Sequence, residues 1–400
     1  MKQSVMFSAV ALVSMSSIAS TVMASERQDL IREMSILKSD IELLKNNQNG
    51  SSVQYHSKKV NVELSGQINR AIQMVDDGHN SYVNNVDNDN SSTRMRVIAE
   101  TNVSPDLQIG GALEVQLESN STAKINQLNE ETGDGTQTFT DRRAEIYFDH
   151  KAYGKLWLGQ GWTATDGTSE VDLSGTSVAG GAYSGGAAGV LFRNTSGILE
   201  STRLGKLTDN FDGLGRDDRL RYDMPTVAGT TLSASVVQGG AWDLASRYKY
   251  KNDGLLLKAA LGYADGSSSD KKDWDRQISG SVAVLFNSGW NGLLSYAQQD
   301  VKAGASRAMA NADPSHLYAK FGYQAQLNDF GITAFSIDYR LSEEQRVADE
   351  EVEGYGVQVV QKVNRFNSEL YFSLTQYERT APAATYDDVT VALLGARIKF

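Results

Sequence analysis

Cysteine is absent from the 400 residues, which removes disulfides and cysteine-ligated metals from the means of holding the fold. A basic excess is absent as well. The formal net charge is -11 and no basic tract is interleaved with aromatics, so no nucleic-acid partner is expected. Hydrophobic residues make up 40% of the chain, too few for helical membrane spans but enough for a large apolar surface. The four histidines, His56, His79, His150 and His316, stand apart, without the paired spacing of a metal site. No Gly-x-Ser-x-Gly elbow or phosphate loop occurs. The stretch "GGAYSGGAAG" is rich in glycine but carries no lysine and has no strand-to-helix setting. With no nucleophile and base in view, the chain does not read as an enzyme, and neither cofactor nor metal is expected.

The first residues, "MKQSVMFSAVALVSMSSIASTVMASER", run from Lys2 through an apolar stretch to the small-residue site Val22-Met23-Ala24. That is the pattern of a secretory signal peptide over 1–24, so the mature chain is expected to be exported. Then comes "RQDLIREMSILKSDIELLKNNQNGSS", in which Leu30, Met34, Leu37, Ile41 and Leu44 are spaced alternately by four and three. Met34 and Ile41 take a positions and the leucines d positions of two heptads. Glu33 and Asp40 fall at g, Lys38 and Lys45 at the following e positions, so opposite charges can meet across parallel chains. A helix this short is marginal alone in water. The spacing predicts a coiled coil over 25–49 or an amphipathic helix packed on its own domain, followed by a polar linker over 50–59.

From residue 60 to residue 400 the period changes from helical to two. In "VNVELSGQINRAI", Val60, Val62, Leu64, Gly66 and Ile68 alternate with polar residues. The pattern returns with Leu107, Ile109, Leu113, Val115 and Leu117, with Ile278, Val282, Val284 and Phe286, with Leu317, Ala319, Phe321 and Tyr323, and with Leu370, Phe372 and Leu374. Short links such as "NVSPD", "HKAYG", "KNDG" and "NSG" take turns with longer polar segments over 76–91, 119–138, 162–217, 265–273, 302–314, 342–353 and 378–388. The runs between them number about sixteen, and strands joined by hairpins must be antiparallel. A soluble sandwich would use strands of about five or six residues. A transmembrane barrel needs roughly nine to eleven, an even strand number, short turns at one rim and long loops at the other. The runs here are mostly nine or longer and the loops are lopsided, so the expected fold is all-β, a 16-stranded antiparallel transmembrane barrel. Aromatics such as Trp157, Trp242, Trp274, Trp290 and Tyr323 fall near strand ends, where interfacial girdles form.

Taken in order, "VELSGQINRA", "SSTRMRVIAET", "AEIYFDHKAYGKLWLGQG", "RDDRLRYDMPTVAGTTLSAS" and the terminal "ALLGARIKF" resemble the trimeric general diffusion porins of Gram-negative outer membranes. The resemblance covers 60–400 at the level of pattern and order. It implies an outer-membrane location, lipids and two further copies as neighbours, and passive diffusion of small hydrophilic solutes and ions. It makes the last residue, Phe400, a signal to the barrel assembly machinery. By the same resemblance the segment before the barrel would lie in the periplasm, with Leu30, Met34, Leu37, Ile41 and Leu44 as trimer contacts. The simplest members of the family lack such a segment.

The resemblance also makes 162–217, after the fifth strand, a constriction loop folded into the lumen, with Asp166, Glu170 and Asp172 as its acidic face. Alternation then places Arg94 and Arg96 inward on the second strand, Arg143 on the fourth, and Arg219 and Arg221 on the sixth. Outward arginines at bilayer depth would cost roughly two to four kcal/mol each. Carboxylates facing arginines would set a transverse field, and the acidic loop suggests a preference for cations. The other reading pairs these arginines with Glu100, Glu114 or Glu145 and makes them wall stiffeners. "DNDNSS" over 87–92 alternates Asp87 and Asp89 with amides as calcium loops do, but it lacks their downstream glutamate and reads as a solvated surface loop. The final strand is expected to close the barrel against 60–68, with Phe400, Ile398, Ala396 and Leu394 toward lipid and Lys399 and Arg397 toward water. A solute-selective channel, and a tether or adhesin anchored by the barrel, are the alternatives.

Overall fold

The computed structural model describes residues 52–56, 60–129, 138–305 and 313–400; the predicted signal peptide and coil lie outside them. Sixteen antiparallel strands form the wall. They are β1 (Asn61–Asp76), β2 in two pieces (Ser81–Asp87 and Arg94–Asn102), β3 (Leu107–Glu118), β4 (Thr138–His150), β5 (Gly154–Trp162), β6 (Arg216–Asp223), β7 (Thr230–Val237), β8 (Trp242–Lys251), β9 (Leu255–Asp265), β10 (Trp274–Phe286), β11 (Trp290–Val301), β12 (Ser315–Asn328), β13 (Gly331–Glu343), β14 (Glu351–Val363), β15 (Ser368–Ala381) and β16 (Val389–Lys399). Each pairs with its sequence neighbours, and β16 pairs with β1, so the sheet closes on itself and the wall keeps no free edge.

The two-residue period decides which solvent each side chain meets. Leu113, Ile146, Leu158, Leu220, Leu244, Leu261, Ile278, Leu294, Phe321, Ile337, Val357, Leu370 and Leu394 are all exposed on the outer surface. In water such a band would be an aggregation surface; around a barrel it is the lipid-facing belt. The opposite register is polar and buried, as with Ser279, Ser281, Ser295, Lys320, Ser336 and Gln358. Short turns carry their own side-chain acceptors: Asn252 Oδ1 takes the amides of Gly254 and Leu255, both at 2.8 Å, the mechanism that makes Asn a turn residue.

Closure differs in register from the expectation. β16 meets β1 from Gln67↔Lys399 to Asp76↔Thr390, so the seam overlaps the expected 60–68 only at Gln67 and Ile68 and otherwise lies above it. Below it, Phe400 exchanges both backbone hydrogen bonds with Gly66, at 2.7 and 3.0 Å. A short strand, Ser52–His56, then takes over the same edge of β1, from Ser52↔Ser65 to His56↔Asn61. Sixteen residues make β1 longer than β16 can cover, and the leading strand completes its ladder. Gly66 is required where it stands: a Cβ there would lie 2.6 Å from the Phe400 ring.

The segment 76–91 is another correction. It is not a long loop. Asp77 Oδ1 accepts the amides of His79 and Asn80 in a tight turn, and the strand resumes at once with Ser81–Asp87. The break in β2 comes at 88–93. Asp87, Asn88 and Ser92 are buried there, so "DNDNSS" is an inward fold and not a solvated surface loop.

Candidate functional site

Residues 163–215, between β5 and β6, run inside the barrel along its wall. The path can be followed from bond to bond. Asp243 of β8 accepts the amides of Ala164 and Thr165 at 3.3 and 2.9 Å, together with the hydroxyls of Thr165 and Ser235. On β10 the Ser279 hydroxyl meets Thr168 Oγ1 at 2.7 Å, and Ser281 donates to the Thr168 carbonyl at 2.6 Å. Ser295 of β11 donates to the Ser169 carbonyl at 2.7 Å. Lys320 of β12 donates to Asp172 at 2.9 Å and to the Gly180 carbonyl at 2.7 Å, and Ser336 of β13 meets Thr176 at 2.7 Å. Arg340 binds the Ser184 hydroxyl, and Gln73 of β1 donates to the Gly186 carbonyl at 2.9 Å. Short hydroxyl side chains at inward positions let the loop backbone approach the wall while its polar groups stay satisfied.

The second half of the loop adds apolar contact. Phe192, Leu204 and Leu207 pack with Val75, Val352, Tyr377, Val389 and Val391, where the inward registers of β1 and β14–β16 turn from polar to apolar.

Of the three predicted loop carboxylates, Glu170 is exposed and Asp166 half-buried in the lumen, while Asp172 is tied to Lys320. Burial alone would raise the Asp172 pKa; the Lys320 ammonium and the Ser174 donors outweigh it and leave the carboxyl below its ordinary range. Asp166 goes the other way. Burial first, then the nearby Asp212, pushes it up to about 7 against the pull of Arg216 and Arg142.

All five predicted arginines project inward, and each is engaged by a neighbour. Glu114, fully buried, receives Arg96 by a close ion pair, Arg142 at 2.6 Å and Arg94 at 3.6 Å. Glu145 holds Arg143 at 2.5 Å and also Arg219, and Arg143 lies 4.5 Å over the Trp162 ring. Arg221 pairs with Asp223 at 2.8 Å and donates to the Thr163 carbonyl at 2.8 Å. Wall stiffening therefore accounts for Arg143, Arg219 and Arg221. Three arginines around Glu114 leave a surplus of positive charge on that side.

Alternation missed Arg142 and Arg216, which face Asp166. The register between β3 and β4 slips between Glu114 and Val115, from Glu114↔Arg143 to Val115↔Asp141. Arg142 is the extra residue of this bulge, so two consecutive arginines turn inward where a regular strand would send one out. Arg216 opens β6 at the loop's end and is exposed. Arg247 and Lys320, also unassigned, sit in inward registers that the alternation does reach; Arg247 donates to the Ala164 and Asp166 carbonyls at 2.8 and 2.6 Å. Among the described residues no group of three or more His, Asp or Glu side chains is arranged to hold a metal ion.

A closed barrel with a lipid-facing belt, a polar interior and an inward loop facing excess wall charge defines a membrane channel of the porin class. Residues 8–391 match the family model for the Gram-negative porin, and the chain belongs to that family; it is an outer-membrane porin. Among solved structures, it is similar to an anion-selective porin from Comamonas acidovorans at 16% identity, with 86% of this chain and 100% of that one covered and a TM-score of 0.58. It is similar to the trimer form of OmpT, an outer membrane protein of Vibrio cholerae, at 14% identity, 86% and 100% coverage and a TM-score of 0.53. A mutant of the Rh. blastica porin follows at 16% identity, 85% and 100% coverage and 0.50. No curated protein matches the chain.

Proposed function

We propose that this porin is a water-filled channel for passive diffusion of small hydrophilic solutes and ions, working as a homotrimer and not as an enzyme. One observation carries the reading: the inward loop sets Asp166 and Glu170 opposite Arg142 and Arg216. Charges of both signs across an aqueous gap orient polar solutes and retard apolar ones. Selection by sign is weak in this reading. The expected cation preference loses Asp172 to Lys320, and the surplus around Glu114 opposes what remains. The cavity beside the loop, lined by Asn90, Ser169, Glu170, Asp172 and Tyr183, measures about 100 Å³. Ligand pockets run to about 300 Å³ or more, so general diffusion is favoured over capture of one solute. The residues of 25–49, if coiled as their heptads suggest, would join three periplasmic ends beneath the pore.

Planar-bilayer recording of the purified protein tests this. Ohmic steps arriving in threes are expected, with a reversal potential under a salt gradient near zero and no block by any single solute class. Insertion without conductance, or a saturable block by one solute, overturns it.

A further inference from the structure

The apolar belt is broken on one side of the barrel. At the long-loop rim, outward aromatics run from β8 to β14, with Trp242 beside Tyr263 at 5.6 Å and Tyr339 beside Tyr355 at 5.3 Å. On β16, β1 and the first piece of β2 the outward register holds Ala392, Leu394, Ile72, Met74 and Val83 there, and no aromatic. Charge appears instead. Arg70 points outward between Ile68 and Ile72, both exposed, while Asn69 and Ala71 are buried on the other face. Its guanidinium lies along the outer surface: Nη1 donates to the Ser119 carbonyl and hydroxyl at 2.7 and 2.9 Å, and Nη2 to Asn85 Oδ1 at 2.8 Å. Asp87 is 3.8 Å away, and 35% of the Arg70 side chain stays exposed. Asp141 of β4 stands opposite the outward Val115 and is exposed. Leu113, Leu117 and Phe139 around it are exposed too, and among the described residues it has no ion-pair partner. Charge on a lipid face is destabilising, so these two groups demand a cover other than lipid.

We propose that this outer face, β1 to β4, docks on a second copy of the chain, with Arg70 of one subunit meeting Asp141 of the partner subunit. The inference deepens the homotrimer reading and rests on it. Both charges stand nine residues from the short-turn rim, Arg70 above Asn61 and Asp141 above His150. They therefore share one depth, to within the residue that the β4 bulge takes up. Depth decides which groups can meet, because rotation about an axis along the membrane normal carries a group around without raising it. A ring of like subunits then joins two different patches of each chain. Within one chain the two charges are three strands apart, about 15 Å or more, beyond pairing. Arg70 would bridge Asp87 of its own chain and the incoming carboxylate, with the exposed Ile68, Ile72, Val83 and Leu113 as apolar contact around it.

The chain has no cysteine, so the test is the double variant Arg70→Cys/Asp141→Cys of the full chain, purified in detergent. A short bis-maleimide should join its subunits into a covalent trimer on a denaturing gel, and neither single variant should do so. Leu261→Cys/Leu294→Cys, on the opposite, apolar side of the belt, should give no covalent oligomer. Arg70→Met and Asp141→Asn should each speed dissociation of the trimer on heating by about tenfold or more, and together by clearly less than the product of the two. Asp141 is exposed, so its variant keeps the test alive if Arg70→Met misfolds. A trimeric wild type whose cysteine pair does not cross-link refutes the proposal and leaves the homotrimer standing; a monomeric wild type refutes both. Quenching of a fluorophore at Asp141→Cys by brominated lipid chains would show that lipid covers this face, and refutes the docking alone.

Discussion

Lys320→Met isolates what holds the constriction loop against the wall. The Lys320 ammonium is fully enclosed and donates to Asp172 at 2.9 Å, the Gly180 carbonyl at 2.7 Å and Thr176 Oγ1 at 3.2 Å. Methionine keeps the stem and its volume but strands Asp172, whose side chain is only 10% exposed. Breaking a buried pair from one side costs about 3–5 kcal/mol. The barrel's ladder is untouched, so the cost falls on the local equilibrium between docked and released loop. At 1.4 kcal/mol per decade the released population should rise by about two to three and a half decades. The chain has no cysteine, so an engineered thiol reports cleanly. Val178, buried between Thr176 and Gly180 at 2% exposure, becomes reactive only when the loop leaves the wall. In a Val178→Cys background, the maleimide labelling rate should climb about a hundredfold or more on adding Lys320→Met, and open-channel noise should increase. Adding Asp172→Asn should restore most of the protection, because no charge is then left without a partner. Equal labelling with and without Lys320→Met would refute the assignment of Lys320 as the loop's central tether.

Two further outcomes follow from the seam and from the gap. Gly66→Ala should impair barrel assembly about as severely as deletion of Phe400, since the new methyl group and the Phe400 ring cannot share one place; heat-resistant trimer on a gel measures it, and normal trimer yields from both variants would contradict the closure described. Asp166, with a pKa raised to about 7, is charged at pH 8 and mostly neutral at pH 6. Cation permeability relative to anions should therefore fall as pH drops through that window. Glu170, raised to about 8 by desolvation in the lumen and then by Asp212, titrates in the same window, so the reversal potential should stay flat only in the Asp166→Asn/Glu170→Gln double variant, and an unchanged pH response there would place the titrating group elsewhere.

The fold was legible because a barrel writes its geometry in a period of two over many strands, and each strand repeats the test. Ile278, Val282 and Phe286 on one face against Ser279 and Ser281 on the other leave little freedom once a lipid face is admitted. Register was less legible. Val62, Leu64 and Ile68 alternate uniformly along β1, and a uniform stripe gives the same contrast wherever the partner strand begins. What pinned it is a contact between residues 66 and 400, a single aromatic ring over a glycine, which no local pattern marks.

The site shows the same division more sharply. Alternation found arginines that a regular strand turns inward, and buried carboxylates meet them there: Arg143 and Arg219 on Glu145, Arg96 on Glu114. Two arginines that face the loop stand outside it, while Arg247 faces the loop from a regular inward position. Arg142 stands at a bulge and Arg216 where a strand begins, positions at which the two-residue period lapses. A ladder pairs side chains in adjacent strands by placing them about 5 Å apart, and the bulge adds a third arginine, Arg142, to the one carboxylate of Glu114, a charge that the two-residue period does not count. Departures from alternation therefore mark, beside the regular inward residues, where a barrel wall faces its contents. The break at 88–93 behaves likewise: Asp89 and Asn90 leave the sheet there and reach the constriction loop at Tyr183 and Gly186, while the regular residues on either side, Val86 and Arg94, stay within the wall.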